Sequence, residues 1–358
     1  MPALTEEAVL KALSSVQEPE LGGNFVSRGM VKNLAIDGTK VSFTVELTTP
    51  ACPLKDEIQR QFEAALKPLG VTETAVEWTA TVRRGTPGTN TPALLPGVRN
   101  IVAVASGKGG VGKTTISVNL AVALAKSGAC VGLLDADITG PNIPMMIGAE
   151  GQPVASPEGK IKPLEANGVK VISIGFFLQD GQPVVWRGPL VGGAIQQFLR
   201  DVDWGDLDYL IVDLPPGTSD AQLTLAQSVP LTGAVLVTTP QQVSLADVAK
   251  ALGMFQRVNV PILGLVENMS GFVCAHCGEI TDIFGRGGGE RFAAENGIAF
   301  LGAIPLDVTV RQGADVGVPA VAQKEPGPAA VALEHMAKAV AGKVSIQASR
   351  EQPVLSVS

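Results

Sequence analysis

Aromatic residues are scarce in this chain, at 4% of 358 positions, with one tyrosine and three tryptophans. Surfaces that stack nucleic-acid bases on exposed rings need more than this, and a formal net charge of −7 removes any general attraction for a polyanion. Nucleic acid is therefore excluded as a partner, whereas small anions held in a local pocket are not. Long hydrophobic runs are missing as well. No stretch reaches the roughly 18 apolar residues that span a bilayer. The opening residues, Met1-Pro2-Ala3-Leu4-Thr5-Glu6-Glu7, contain neither a basic nor an apolar targeting segment. These absences predict a cytoplasmic protein with no membrane partner. Cysteine occurs only at 52, 130, 274 and 277, and in a reducing compartment so small a set points to metal or reactive chemistry before disulfides. Charged residues make up 17%, below the density of disordered chains, against 46% hydrophobic residues and 41 glycines. That balance predicts an α/β protein in which Val, Ile, Leu and Ala pack around many tight turns.

Residues 5–16 have helical apolar spacing behind Thr5, an acceptable N-cap, and Val41 to Leu47 alternates like a strand. A second helix is predicted from about Pro53 to Leu66 and a strand near Ala75 to Val82, giving a small α/β domain over residues 1–84. The prolines and glycines between Arg84 and Gly97 discourage regular structure and mark a linker over 85–97. Beyond it, apolar runs at Asn100 to Ala105, Cys130 to Leu134, Tyr209 to Val212, Gly233 to Thr238 and Ile262 to Val266 alternate with helical segments such as Lys113 to Ser127. Strands buried on both faces read this way, so residues 98–343 form a large domain with a mostly parallel sheet flanked by helices. Ligands belong at the carboxyl ends of such strands. Residues 344–358, with the polar, irregular stretch from Ser345 to Ser358, are predicted to be a disordered tail.

The strongest local signal is Gly107-Lys108-Gly109-Gly110-Val111-Gly112-Lys113-Thr114-Thr115, a P-loop pattern placed between an apolar strand and a helix. Glycines let the loop turn so that backbone N–H groups face phosphate oxygens, and the following helix N-terminus adds positive potential. Such a loop binds ATP, with Lys113 on the β- and γ-phosphates and Thr114 on Mg²⁺. Two apolar strands end in carboxylates at Asp135, Asp137 and Asp213. Asp213 is the candidate for the outer shell of Mg²⁺, which keeps several waters. Asp137 is the candidate for orienting or deprotonating the attacking water, because phosphoryl transfer depends on positioning and charge. Any one of these aspartates alone would read as a solvated strand-end cap.

Cys274-Ala275-His276-Cys277 is a short loop with no second pair elsewhere in the chain. A tetrahedral thiolate site needs about four ligands, so the arithmetic favours a metal site shared by two chains, where a symmetric dimer supplies the pair twice. An Fe–S cluster, a structural zinc and a dithiol redox pair all remain open on the residues alone, and His276 reads as a spacer. The glycine run Gly285-Arg286-Gly287-Gly288-Gly289 reads as a mobile loop. Cys130 reads as an inert buried strand residue, whereas Cys52 precedes a helix whose dipole should lower its thiol pKa.

Lys108, the additional P-loop lysine, resembles the signature lysine of the deviant Walker ATPases, the MinD/ParA/ArsA group. The resemblance implies nucleotide sandwich dimers in which this lysine reaches the partner's phosphates, as a charge donated across the interface. Further stretches are Asp135-Ala136-Asp137-Ile138-Thr139-Gly140-Pro141-Asn142, Trp186-Arg187-Gly188-Pro189, Asp213-Leu214-Pro215-Pro216-Gly217-Thr218-Ser219-Asp220 and Val266-Glu267-Asn268-Met269-Ser270. With these, the region from about Asn100 to Lys343 resembles the Mrp/ApbC family of iron–sulfur cluster carriers. That resemblance implies switch I at Asp135 to Asn142, switch II at Asp213 to Asp220, an adenine contact at Asn268, and a [4Fe-4S] cluster on Cys274 and Cys277. It also implies a homodimeric, slow ATP hydrolase that takes clusters from donors and passes them to apo iron–sulfur proteins. The N-terminal segment resembles the small domain found alone in iron–sulfur assembly proteins, which makes Cys52 a candidate for cluster or partner contact. A MinD- or ParA-like positioning ATPase with a zinc at the dimer interface is the alternative; it would need a basic tail or surface. A small-molecule kinase would leave the cysteine pair unexplained.

Overall fold

The computed structural model describes residues 4–52, 54–85, 95–138, 140–157, 159–178, 188–217, 222–223, 226, 229–274 and 276–349, without the side chains of 188–191. By contacts the chain divides into two units. One runs to Arg83 and takes in the end of the chain from Ser345; the other is Arg84–Val344.

In the first unit, the Thr5 hydroxyl accepts a bond from the Ala8 N–H at 3.3 Å and opens α1 (Glu6–Leu13), with Glu6 and Glu7 at the positive end of its dipole. Strand β1 (Val31–Asp37) pairs antiparallel with β2 (Lys40–Leu47). Helix α2 (Lys55–Leu66) then returns the chain to β3 (Glu73–Ala80), parallel to β2. Ile58, Phe62 and Leu66 recur at helical spacing and are all buried, and the Phe62 ring meets Phe25 and Phe43 edge-on at 5.2 and 5.3 Å. Strand β1 is not apparent in the sequence: none of its residues is fully buried, and Asn33 interrupts it with φ 53° at a bulge.

The second unit begins with β4 (Val98–Ser106), α3 (Lys113–Lys126), β5 (Val131–Asp135) and α4 (Ile143–Ile147). A short ribbon of β6 (Val154–Ala155) and β7 (Ile161–Lys162) follows, then β8 (Leu164–Ala166), β9 (Val169–Ile172), α5 (Gly188–Asp201) and β10 (Leu207–Asp213). The chain continues through β11 (Gly233–Thr238), α6 (Gln242–Arg257), β12 (Ile262–Val273), β13 (Ile280–Thr281), α7 (Gly288–Glu295), β14 (Phe300–Leu306), α8 (Val308–Asp315) and α9 (Pro328–Ser349). The sheet order is β13-β12-β11-β4-β10-β5-β9-β8, with β14 also on β12. All pairs between β9 and β12, and β12 with β14, are parallel; β8 and β13 join antiparallel. This is the α/β class read from the sequence. Strands β5 and β11 are buried at every position because both faces are covered.

Three expectations need correction. The stretch from Ser345 is helical through Ser349, since α9 places Val340, Ala341 and Val344 on a buried face and carries Ser345 with them; residues 350–358 lie outside the described ones. The glycine run is not a loose loop: Gly288 and Gly289 are buried in the first turn of α7, packed on Pro240 and Glu267. Cys130 is exposed, because β5 starts only at Val131. Of the anticipated linker, residues 86–94 lie outside the described ones, while the Gly85 N–H donates to the Arg99 carbonyl at 3.0 Å.

Candidate functional site

Strands β4, β5 and β10 end side by side, with Asp213 in register with Val104 on one side and Asp135 on the other. Out of β4 the chain enters the loop Gly107–Gly112, where Gly110 and Gly112 both take φ +80°, a left-handed value that costs other residues about 1–3 kcal/mol. A Cβ on Gly107 would overlap the Asp247 backbone of α6, and one on Gly112 would overlap the Asn268 amide nitrogen. Helix α3 then starts with Gly112 as its N-cap and no side-chain cap, which leaves its first N–H groups for a ligand.

Lys113, Thr114 and Asp213 meet here. Lys113 Nζ is 2.8 Å from Asp213 Oδ2 and 3.9 Å from Asp137 Oδ2, and its side chain is only 6% exposed. The Thr114 hydroxyl donates to Asp213 Oδ2 at 2.8 Å, and the Ser117 hydroxyl donates to Oδ1 at 2.6 Å. Asp213, wholly buried, is thus surrounded by donors. Ser117 was not singled out in the sequence; its position one turn after Lys113 on α3 is the signal that could have found it. Asp135 accepts from the Ser173 hydroxyl at 2.8 Å and from the Asp137 N–H at 3.2 Å. Burial first, and then the neighbouring Asp213, push its pKa up to about 8. Lys108 and Thr115 are half-buried, Gly109 is exposed, and the Lys108 carbonyl accepts from the Ser106 hydroxyl at 2.9 Å.

Asn268 arrives from β12. Its Nδ2 donates to the Val111 carbonyl at 2.9 Å, which secures β12 to the phosphate loop. Beside it lies an apolar cleft of about 240 Å³ lined by Thr115, Asn268, Met269, Pro305, Asp307 and Arg311, among others. Of the expected switches, Thr139 and Thr218 to Asp220 lie outside the described residues, as do Trp186 and Arg187.

The cysteine pair sits on a hairpin between β12 and β13. The Cys274 N–H donates to the Glu279 carbonyl at 2.9 Å, and the Gly278 N–H, at φ +74°, returns to the Cys274 carbonyl at 2.8 Å. The backbone N–H groups of Cys277 and His276 and the Cys277 side chain all face the Cys274 thiol electrostatically. All three hold its thiol below the usual range. Cys277 is exposed and Cys274 half-buried. Among the described residues no cluster of three or more His, Cys, Asp or Glu could hold a metal ion, so one chain offers this pair by itself.

Cys52 behaves contrary to expectation. Burial raises its thiol pKa, with Glu20 and Glu18 adding to the effect against a backbone bond from Leu54. The reason is that α2 begins only at Lys55, and desolvation exceeds the dipole's pull at that distance. Glu20, which the sequence did not mark, is pushed up to about 7 by burial and then by Glu18.

Residues 97–341 match the family described as NUBPL iron-transfer P-loop NTPase, and residues 6–78 match the family described as iron-sulfur cluster assembly protein. An iron-sulfur cluster carrier protein of Synechocystis is 50% identical over 353 residues, covering 96% of this chain and 99% of the relative. The Escherichia coli protein of the same name is 42% identical, covering 96% and 93%. A solved nucleotide-binding protein from Archaeoglobus fulgidus in complex with ADP is 43% identical with a TM-score of 0.58, over 65% of this chain and 91% of that one. The cell division ATPase MinD of Pyrococcus furiosus is 25% identical with a TM-score of 0.50, over 67% and 98%. Among the described residues no helix is long and apolar enough to cross a membrane.

Proposed function

The chain belongs to the NUBPL iron-transfer P-loop NTPase family, and from that premise we propose that it is an ATP-hydrolysing carrier that holds an iron–sulfur cluster between two copies of itself and passes it to apo-proteins. The observation that carries this reading is the hairpin at Cys274 and Cys277. Two thiols, one with its pKa held below the usual range by backbone N–H groups, would form half of a four-thiolate cradle, and a second copy would supply the other half. Four thiolates suit a [4Fe-4S] cluster. The names of the full-length relatives support iron over zinc, and nothing observed favours a positioning ATPase.

ATP would lie along Gly107–Thr115, with Lys113 released from Asp213 to the β- and γ-phosphates. Thr114 would hold Mg²⁺, whose role is to neutralise phosphate charge, and Asp213 would stand behind it. Asp137, 3.9 Å from Lys113, would orient the attacking water, while the cleft beside Thr115 and the Asn268 amide oxygen would receive the base. Lys108 would serve the partner's phosphates. Donors and recipients would be proteins of iron–sulfur assembly.

The test is the double variant Cys274→Ser/Cys277→Ser, reconstituted without oxygen beside the wild type. Iron, sulfide and visible absorbance should be lost while ATP binding persists. Retention of all three by the variant would remove the shared-cluster reading, and zinc in place of iron in the wild type would turn it toward a structural site.

A further inference from the structure

A carboxylate with no solvent exposure, Glu267, stands in β12 one residue before Asn268. Its Oε1 accepts from the Ser270 hydroxyl at 2.6 Å and from the Gly287 N–H at 2.8 Å, and its Oε2 accepts from the Gly289 N–H. Those two glycines are the N-cap and second residue of α7, where the helix dipole favours an anion. A buried charge persists only with such partners. Here the partners have a topological consequence. Glu267 and Gly287 are twenty residues apart, and the chain between them is the excursion that carries Cys274 and Cys277. One side chain therefore ties the entry of that excursion to its exit.

The same point on β12 is tied to the phosphate loop, through the Asn268 amide on the Val111 carbonyl. Beyond it the ladder loosens. Asn268 pairs with Ile304 and Phe272 with Leu306, so β12 carries two more residues than β14 between these pairs, with Met269 at φ 57° and Gly271 at φ 72°. A shift of Val111 on phosphate binding would thus reach the base of the thiol excursion, and the Glu267 carboxylate links both of its legs.

We propose that Glu267 is a positioning residue that couples P-loop occupancy to the grip of Cys274 and Cys277 on their cargo. This rests on the cluster-carrier reading above. Glu267→Gln keeps size and polarity but turns an N–H donor toward backbone N–H groups that need an acceptor. Ser270→Ala removes one of the three bonds that hold the same carboxylate and so loosens the clamp.

The experiment uses full-length protein loaded with iron and sulfide without oxygen. It measures the half-time of iron transfer to a ferrous chelator with and without ATP and Mg²⁺, alongside ATP affinity. In the wild type the two half-times should differ. In Glu267→Gln their ratio should move toward one by roughly 2- to 30-fold, the range for residues that carry coupling, with Ser270→Ala between. ATP affinity should stay near that of wild type. A variant that is only less stable, with the ratio intact, overturns the proposal. If Glu267→Gln does not fold, Ser270→Ala decides, and an unchanged ratio there overturns it. A wild type that holds the cluster but ignores ATP overturns the coupling alone, whereas a wild type that holds no iron overturns the carrier reading and this proposal with it.

Discussion

Asp135 and Asp213 face each other across β5 and β10, both buried, but their surroundings differ. Asp213 has Lys113, Thr114 and Ser117 around it; Asp135 has Ser173 and a backbone N–H, and its pKa rises from 3.8 to about 8. The sign of the consequence follows from proton counting. Between about pH 4 and pH 8 the unfolded chain has lost the Asp135 proton and the folded one retains it, so stability falls as pH rises through that window. The slope from this one group is at most about 1.4 kcal/mol per pH unit. In nucleotide-free protein, Asp135→Asn should flatten the thermal midpoint between pH 5 and 8; a wild-type midpoint already flat there would contradict the assignment. The residue identities at this site were readable in advance: Lys113, Thr114, Asp137 and Asp213 stand at strand ends and a helix entry. Ser173 and Ser117 were not, because each matters through a carboxylate tens of residues away.

At the level of elements, the phosphate loop is a joint between β4, α3 and β12. Gly112 combines φ +80° with the Asn268 amide pressed against the space a Cβ would take. Gly112→Ala should strain the backbone by about 1–3 kcal/mol and displace Asn268 from Val111. That predicts nucleotide binding weaker by roughly ten- to a hundredfold in calorimetry, and an unchanged affinity would refute this account of the loop. Strands covered on both faces, such as β11, and the helix entered through glycines were plain in the pattern. Strand β1, the last turn and a half of α9 and the glycine start of α7 were not. Their residues look polar or flexible locally; pairing with β2 makes β1 a strand, and bonds from Glu267 hold the glycine start of α7.

For the whole molecule, the question is whether two copies complete one another. Lys108 acting across an interface makes a prediction about mixtures. Lys108→Ala can receive a lysine but not donate one, and Lys113→Ala can donate but not hydrolyse. Each alone should be inactive, while an equal mixture should recover about a quarter of wild-type turnover, since half the dimers hold one competent site of two. No recovery on mixing would place Lys108 in its own site.

What a few neighbouring residues can encode was already present in the linear order: the glycine turn, the helix that receives phosphate, the paired thiols, the parallel strand runs. These depend on local backbone freedom and spacing, which need no distant partner. The charge state of Asp135, the raised thiol of Cys52 and the closure of the cysteine excursion by Glu267 depend on desolvation and on hydrogen bonds between segments far apart in the chain. Those exist only once the chain has packed.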